Sequence, residues 1–243
     1  MQRYLWFIVG LLLAGSASAQ TGEPRVTVFA GAAFQSGTLS FSDVTTFPYF
    51  AETARLEGSY DVRDGTAIDV GGGVRIWRGF GAGVSVTTLK RRTATDVSGA
   101  YPHPFFFNRD RRNAWPYDGL QLQETGIHVS AMYVAPVGSR FAIALFGGPT
   151  FFSFKQGVVN DVNVNEAYPY DSIDASLVKG RINGSTIGFH AGGDVTWYFT
   201  RNIGVGALAR VTTGKKNTRI GEGEPFDLKL GGVQGGGGVR LRF

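Results

Sequence analysis

The chain has 243 residues, a formal charge of +5, 36 glycines and 19 phenylalanines, but no cysteine and only two methionines. These counts exclude a disulfide scaffold, a cysteine-zinc centre and a collagen-like fibre, and beyond the first twenty residues no apolar run is long enough for a helical membrane span. The positive charge is spread along the chain and not gathered in one helix or tail, so it does not point to nucleic acid.

The N-terminus reads as a separate unit: Arg3, an apolar stretch from Leu5 to Ala14, then Ala17, Ser18 and Ala19. This is the pattern of a secretory signal, because about ten apolar residues are too few to span a bilayer and the small-residue ending supplies a cleavage site. Residues 1–19 are expected to be removed and 20–243 to form one domain. With no cysteine available, an exported domain has to be held by hydrogen bonding, burial or a membrane.

From there the sequence alternates polar and apolar residues with the period of a strand over 25–35, 66–77, 80–92, 119–135, 140–155, 186–199, 203–214 and 228–243. In 186–199, Ile187, Phe189, Ala191, Val195, Trp197 and Phe199 share one face, opposite Thr186, His190, Asp194 and Thr196. The final segment places Val233, Val239, Leu241 and Phe243 in phase, opposite Gln234, Arg240 and Arg242.

The links between these segments alternate in length. Short ones fall at Arg78 and Gly79, at Val137 to Ser139 and at Arg201 and Asn202; long ones occupy 36–65, 93–118, 156–182 and 215–227. That alternation predicts an all-β fold, an eight-stranded antiparallel up-and-down transmembrane β-barrel with short periplasmic turns and long external loops. Residues 50–62 have some strand character and fit either the first long loop or an extension of a neighbouring strand above the membrane. A soluble lipocalin-like barrel would show the same dyad. Residue size favours the membrane reading, since the bulky apolar face suits lipid and the small polar face suits a narrow interior. Trp77, Phe80, Tyr133, Phe141, Trp197, Phe199 and Phe243 cluster beside the short turns as an interfacial girdle would, although the dyad puts Trp77 on the inward class.

The leader, the eight dyad strands, the alternating links and the ending Val239, Arg240, Leu241, Arg242, Phe243 resemble the small outer-membrane β-barrel proteins of Gram-negative bacteria, the OmpA/OmpX type. The resemblance implies an outer-membrane location, outer-membrane lipids and lipopolysaccharide as surroundings, and a monomer. It also implies contact with the barrel-assembly machinery, with Val239, Leu241 and Phe243 as the signal read during assembly. Nothing follows Phe243, so no peptidoglycan-binding domain is expected.

On the inward class stand Asp69, Glu124 and Asp194 with Arg75, Arg210, Arg240 and Arg242, and with His128, His190 and Gln234 among them. In a narrow barrel, charges taken out of water need partners, so these residues are expected to form a polar network that plugs the lumen. A narrow channel is the alternative. A lipid-modifying enzyme is another: His128, Ser130 and Glu124 share a strand face and resemble the His-x-Ser of outer-membrane lipid A deacylases. The lumen-facing register speaks against that chemistry, and no enzymatic activity or cofactor is expected. His190 with Asp194 lacks a third metal ligand.

The second long loop joins Tyr101, Phe105, Phe106 and Phe107 to Arg109, Arg111 and Arg112, with Lys90, Arg91 and Arg92 at its root. This apolar and cationic patch is the expected place of a structural or surface-interaction role, its cations meeting lipopolysaccharide phosphates. The third loop carries Asn160, Asp161, Asn163, Asn165, Asp171 and Asp174 but lacks the glycine and glutamate of an EF-hand loop. The run from Gly235 to Gly238 precedes a strand and not a helix, so it is no phosphate loop.

Overall fold

A computed structural model describes residues 24–37, 39–220 and 223–243; the expected leader lies outside the described residues. The chain forms nine strands: β1 (Val26–Ser36), β2 (Leu39–Tyr49), β3 (Glu52–Trp77), β4 (Phe80–Pro102), β5 (Asp110–Val137), β6 (Phe141–Asn165), β7 (Asp174–Tyr198), β8 (Ile203–Thr218) and β9 (Phe226–Arg242). β1 and β2 are successive halves of one stave, since β1 pairs with β3 from Val26↔Val74 to Gln35↔Gly65 and β2 continues along it from Leu39↔Val62 to Tyr49↔Glu52. β1 also pairs with β9 from Thr27↔Arg242 onward, which closes an antiparallel up-and-down ring of eight. The ring closes where backbones approach very tightly: a Cβ on Gly238 would lie 2.1 Å from the Ala30 carbonyl oxygen of β1.

All eight expected segments are strands, but five of them run much further than the dyad indicates. β3 begins at Glu52 and not at 66, β4 ends at Pro102 and not at 92, β5 begins at Asp110, β6 ends at Asn165 and β7 begins at Asp174. Most of the three longest expected loops, 36–65, 93–118 and 156–182, is therefore ladder. The connections that remain are Phe50 with Ala51, residues 103–109 and residues 166–173. Residues 50–62 belong mainly to the upward extension of β3.

The cause is an inversion of sidedness partway along each stave. On β4, Val84 points out and Ser85 and Thr87 point in, whereas higher up Val97 points in and Asp96 and Ser98 point out. Below the level of Lys90 the outer surface is apolar, with Ile68, Ile127, Leu145, Ile187, Val211 and Val239 exposed. Above it the outward residues of the strands are largely polar, including Arg63, Arg92, Asp118 and Arg181. A closed ring leaves no unpaired strand edge, which hydrocarbon demands, and the apolar belt supplies the matching outer surface. The upper part stands in water and needs an apolar core of its own.

That core forms a head. Tyr60, Val97, Leu122, Phe154 and Leu228 are among the residues that fill it. Phe41 stacks between Tyr60, at 4.5 Å, and Phe226, at 4.7 Å. The Tyr60 hydroxyl accepts the Val159 N–H at 3.2 Å, and burial pushes its pKa up to about 12, so it stays neutral.

At the opposite end, a register shift between Arg75 and Trp77 turns both Ile76 and Trp77 outward. This corrects the inward placement of Trp77: a strict dyad ignores the extra residue of a bulge. Trp77 stacks on Phe80 at 6.4 Å, in line with Tyr133, Phe141 and Trp197 on the belt's lower rim. The head should depend on its own packing. Phe154→Ala is expected to cost about 3–5 kcal/mol, measured by urea unfolding of protein inserted in lipid vesicles.

Candidate functional site

The residues of the barrel interior are positioned by alternation on the staves. Asp69 lies on β3, Thr87 and Arg91 on β4, Glu124, His128 and Ser130 on β5, Thr150 on β6, His190 and Asp194 on β7, Arg210 on β8, and Gln234 and Arg240 on β9. Arg210 and Asp69 are almost fully buried and reach each other across the lumen at 3.3 Å. Arg210 also donates from Nη2 to Thr87 Oγ1 at 2.6 Å and from Nε to Gln234 Oε1 at 2.8 Å. Gln234 donates in turn to Gln35, and Gln35 to the Gly231 carbonyl at 2.8 Å. Gly231 (φ +91°) occupies backbone space natural to glycine, and its peptide is read from both sides. Arg91 Nη2 donates to its carbonyl at 3.3 Å, and Glu124 Oε2 accepts its N–H at 3.3 Å.

The two histidines extend this layer as a chain. Ser130 Oγ lies 2.9 Å from His190 Nε2, and His190 Nδ1 lies 2.9 Å from Thr150 Oγ1. Thr150 Oγ1 lies 2.9 Å from His128 Nδ1, and His128 Nε2 lies 3.0 Å from Thr87 Oγ1. Thr87 donates its one hydroxyl proton to Asp69 at 3.1 Å. A hydroxyl has one proton to give, so that last bond orders the rest: His128 carries its proton on Nε2, His190 carries its proton on Nδ1, and Ser130 donates to His190. His128 and Ser130, paired in the sequence reading, thus bond to different partners. The chain's polarity is set by the Asp69–Arg210 pair.

Asp194 and Arg240 form a second pair at 2.5 Å, with Thr196 donating to Asp194 at 2.6 Å and the Arg240 guanidinium 5.0 Å from the centre of the Phe29 ring. Arg75 stands apart from both clusters, further towards the short turns at the barrel mouth. Sequence reading missed Arg91, Thr87, Thr150 and Gln35. Arg91 was placed at a loop root, although it shares the phase of Thr87 and Leu89 and is 2% exposed.

The head separates the expected loop patch into two groups. Phe105, Phe106 and Phe107 are exposed, and Arg109 lies over the Phe106 ring at 5.3 Å. Arg112 is exposed beside Asp110. Tyr101 and Arg111 do not belong to that surface, with exposures of 0% and 5%. Tyr101 packs edge-on against Phe47, Tyr49 and Trp115, and Arg111 pairs with Glu166 and donates to the Pro102 carbonyl at 2.7 Å. Both sit on extended strand and not in a loop, so alternation turns them inward. Of the expected assembly residues, Val239 and Phe243 are exposed on the outer face and Leu241 is half-buried. Among the described residues no group of three His, Asp or Glu side chains is arranged to hold a metal ion.

No family model and no curated protein matches the chain. Among solved structures it is similar to the outer membrane protein OprG from Pseudomonas aeruginosa, with a TM-score of 0.54 and 10% identity over 91% of this chain and 96% of that one. It is also similar to Neisserial surface protein A (TM-score 0.45, 16% identity, 90% and 97% covered). A further similar structure is the attachment invasion locus protein Ail of Yersinia pestis (TM-score 0.38, 9% identity, 90% and 99% covered). The chain has the fold of a small outer-membrane β-barrel. The continuous apolar belt around its closed ring is the surface such a barrel turns to lipid.

Breaking one member of the Asp69–Arg210 pair leaves its partner charged and buried. Arg210→Gln is expected to destabilise the inserted barrel by about 3–5 kcal/mol, and Asp69→Asn in the same chain to recover part of that loss. Urea titration in vesicles of the two single variants and the double variant checks this.

Proposed function

We propose that the protein is a non-enzymatic scaffold of the outer membrane, closed to solutes, that holds a β-rich head for contact with surfaces outside the cell. The observation that carries this reading is the filling of the ring at two successive levels, first by the Asp69–Arg210 layer and above it by the apolar core around Phe41, Leu122 and Phe154. An eight-stranded interior is only just wide enough for side chains, and here those side chains are bonded to one another or packed. The polar layer acts as a plug, and the head core seals it from outside.

Lipopolysaccharide contact fits a different set of cations from the loop arginines. The registers Lys90↔Gln123, Gln123↔Lys155 and Lys155↔Asn183 put four outward polar side chains in one oblique row across the staves, bordering the apolar belt. Lys229 and Lys215, the latter paired with Asp227 at 2.8 Å, face out from β9 and β8. Phosphates at the membrane surface meet this row. The tip formed by Phe105, Phe106 and Phe107 lies about a dozen residues further along the hairpin, roughly 30 Å higher for strands of ordinary rise and tilt. Its exposed rings beside the Arg109 guanidinium suit a partner beyond the cell's own lipid surface.

Planar bilayers containing the purified protein are expected to show no discrete conductance steps; a steady open channel would refute the sealed scaffold. Lys90→Gln with Lys155→Gln is expected to weaken lipopolysaccharide binding by a few-fold at low salt and to have little effect at 1 M salt, where charge attraction is screened. Alanine at Phe105, Phe106 and Phe107 is expected to leave the heat-modifiable folded form intact while reducing adsorption of nanodisc-embedded protein to saccharide-coated surfaces.

A further inference from the structure

On the outer face of the head, three staves leave a trough of about 630 Å³, bordered by Arg55 and Glu57 of β3, Ser98 and Ala100 of β4, and Arg112 and Ala114 of β5. The registers Arg55↔Ala100 and Ala100↔Arg112 set two arginines level with each other across one methyl group. Glu57↔Ser98 and Ser98↔Ala114 form the next outward row towards the membrane. Neighbouring strands lie about 4.8 Å apart, so the two arginine Cα atoms stand about 10 Å from each other and both side chains can reach one shared group. The floor is backed from inside. A Cβ on Gly99 would lie 2.4 Å from the Tyr101 ring and 2.9 Å from the Trp115 ring, and these rings pack edge to face at 6.4 Å. The small residues along β4 therefore rest on a filled core, which fixes the depth of the trough.

Each arginine has an acidic neighbour on its own strand. Arg55 lies 3.4 Å from Glu57 and Arg112 lies 3.7 Å from Asp110, and all four side chains are more than a third exposed. Exposed pairs of this kind contribute little energy, so a guest carboxylate can share either guanidinium. The two acids lie on opposite sides of the arginine row, Glu57 towards the membrane and Asp110 towards the tip. Two charges of each sign suit one anionic group seated between the arginines and repel a guest that carries anions along its whole length.

We infer that the trough binds a polysaccharide with widely spaced carboxylates, one carboxylate lying between Arg55 and Arg112 and a sugar ring resting on Ala100 and Ala114. Guanidinium forks match the two oxygens of a carboxylate. The methyl floor meets the C–H face of the ring, while Glu57 accepts from and Ser98 exchanges hydrogen bonds with its hydroxyls. The inference rests on the reading of the head as the part that meets surfaces outside the cell, and names the chemistry of one such surface.

The test is calorimetric titration of the full-length barrel in phosphatidylcholine nanodiscs with a hyaluronan tetrasaccharide, which carries one carboxylate per disaccharide, beside uncharged chitotetraose and a densely sulfated heparin tetrasaccharide. Saturable binding of the hyaluronan fragment is expected, tighter than that of either other saccharide. Arg55→Gln with Arg112→Gln should weaken it at least about tenfold, the loss of two charge-assisted contacts. Ala100→Leu, which fills the floor and keeps both arginines, should abolish it, whereas Arg63→Gln with Arg92→Gln, on the outer face below the trough, should leave it unchanged. A heat-modifiability gel establishes that each variant is folded. Absence of saturable binding, tighter binding of the heparin or uncharged fragment, or equal losses in the two arginine pairs overturns the site. Adsorption to saccharide-coated surfaces through Phe105, Phe106 and Phe107 without hyaluronan binding also overturns the site, and leaves the role of the head standing.

Discussion

Hydrocarbon leaves a backbone no water to bond with, and the rest of this structure depends on that constraint. Closing the sheet on itself satisfies every stave, and once closed the barrel must carry its apolar side chains outward for as long as lipid surrounds it. Six staves, the one made of β1 and β2 among them, continue well past the lipid, where water reverses the requirement. The sidedness therefore inverts near Lys90, and the same ladder that holds a polar layer at Asp69 and Arg210 holds an apolar core at Phe41 and Leu122. One continuous sheet thus serves two solvents.

The inversion also divides the interior into levels with different physical characters. Above lies the apolar core of the head, around Phe41, Leu122 and Phe154. Beneath it, buried charges are tolerable only because each has a partner: Arg210 faces Asp69 at 3.3 Å, and Arg91 and Glu124 share the two sides of the Gly231 peptide. The second pair, Asp194 with Arg240, shares β7 with His190 and β9 with Gln234 but stands apart from the first, its carboxylate bonded by Thr196. Below these layers the walls become apolar again around Met132 and Phe146 before the arginine-rimmed mouth. The interior of one barrel thus changes character from level to level through side-chain choice alone.

The cations are sorted by the same geometry. Lys90, Arg91 and Arg92 are consecutive in sequence, yet alternation points Lys90 and Arg92 to the outside of the barrel and Arg91 into the lumen. Arg111 and Arg112 separate likewise, one buried against Glu166 and the other exposed at the tip. A basic cluster in the sequence is therefore divided among different surroundings, and the cations just above the apolar belt differ from those displayed at the far end of the head.

The fold was legible in the alternation of residues along the chain. Eight alternating segments with three tight turns point to an antiparallel closed ring, and bulky residues on one face with small polar ones on the other favour the arrangement that turns the apolar face to lipid. The residues of the polar interior were legible for the same reason, as Asp69, His128, His190, Asp194 and Arg210 stand in phase with the small inward residues. Tertiary structure alone decided what alternation cannot express: where the phase inverts, which turned supposed loops into strands and buried Tyr101 and Arg111; where a bulge turns Trp77 outward; and which charges meet across the lumen. Those outcomes depend on distances between staves remote in the chain, and a one-dimensional pattern fixes a side chain's face without fixing what faces it.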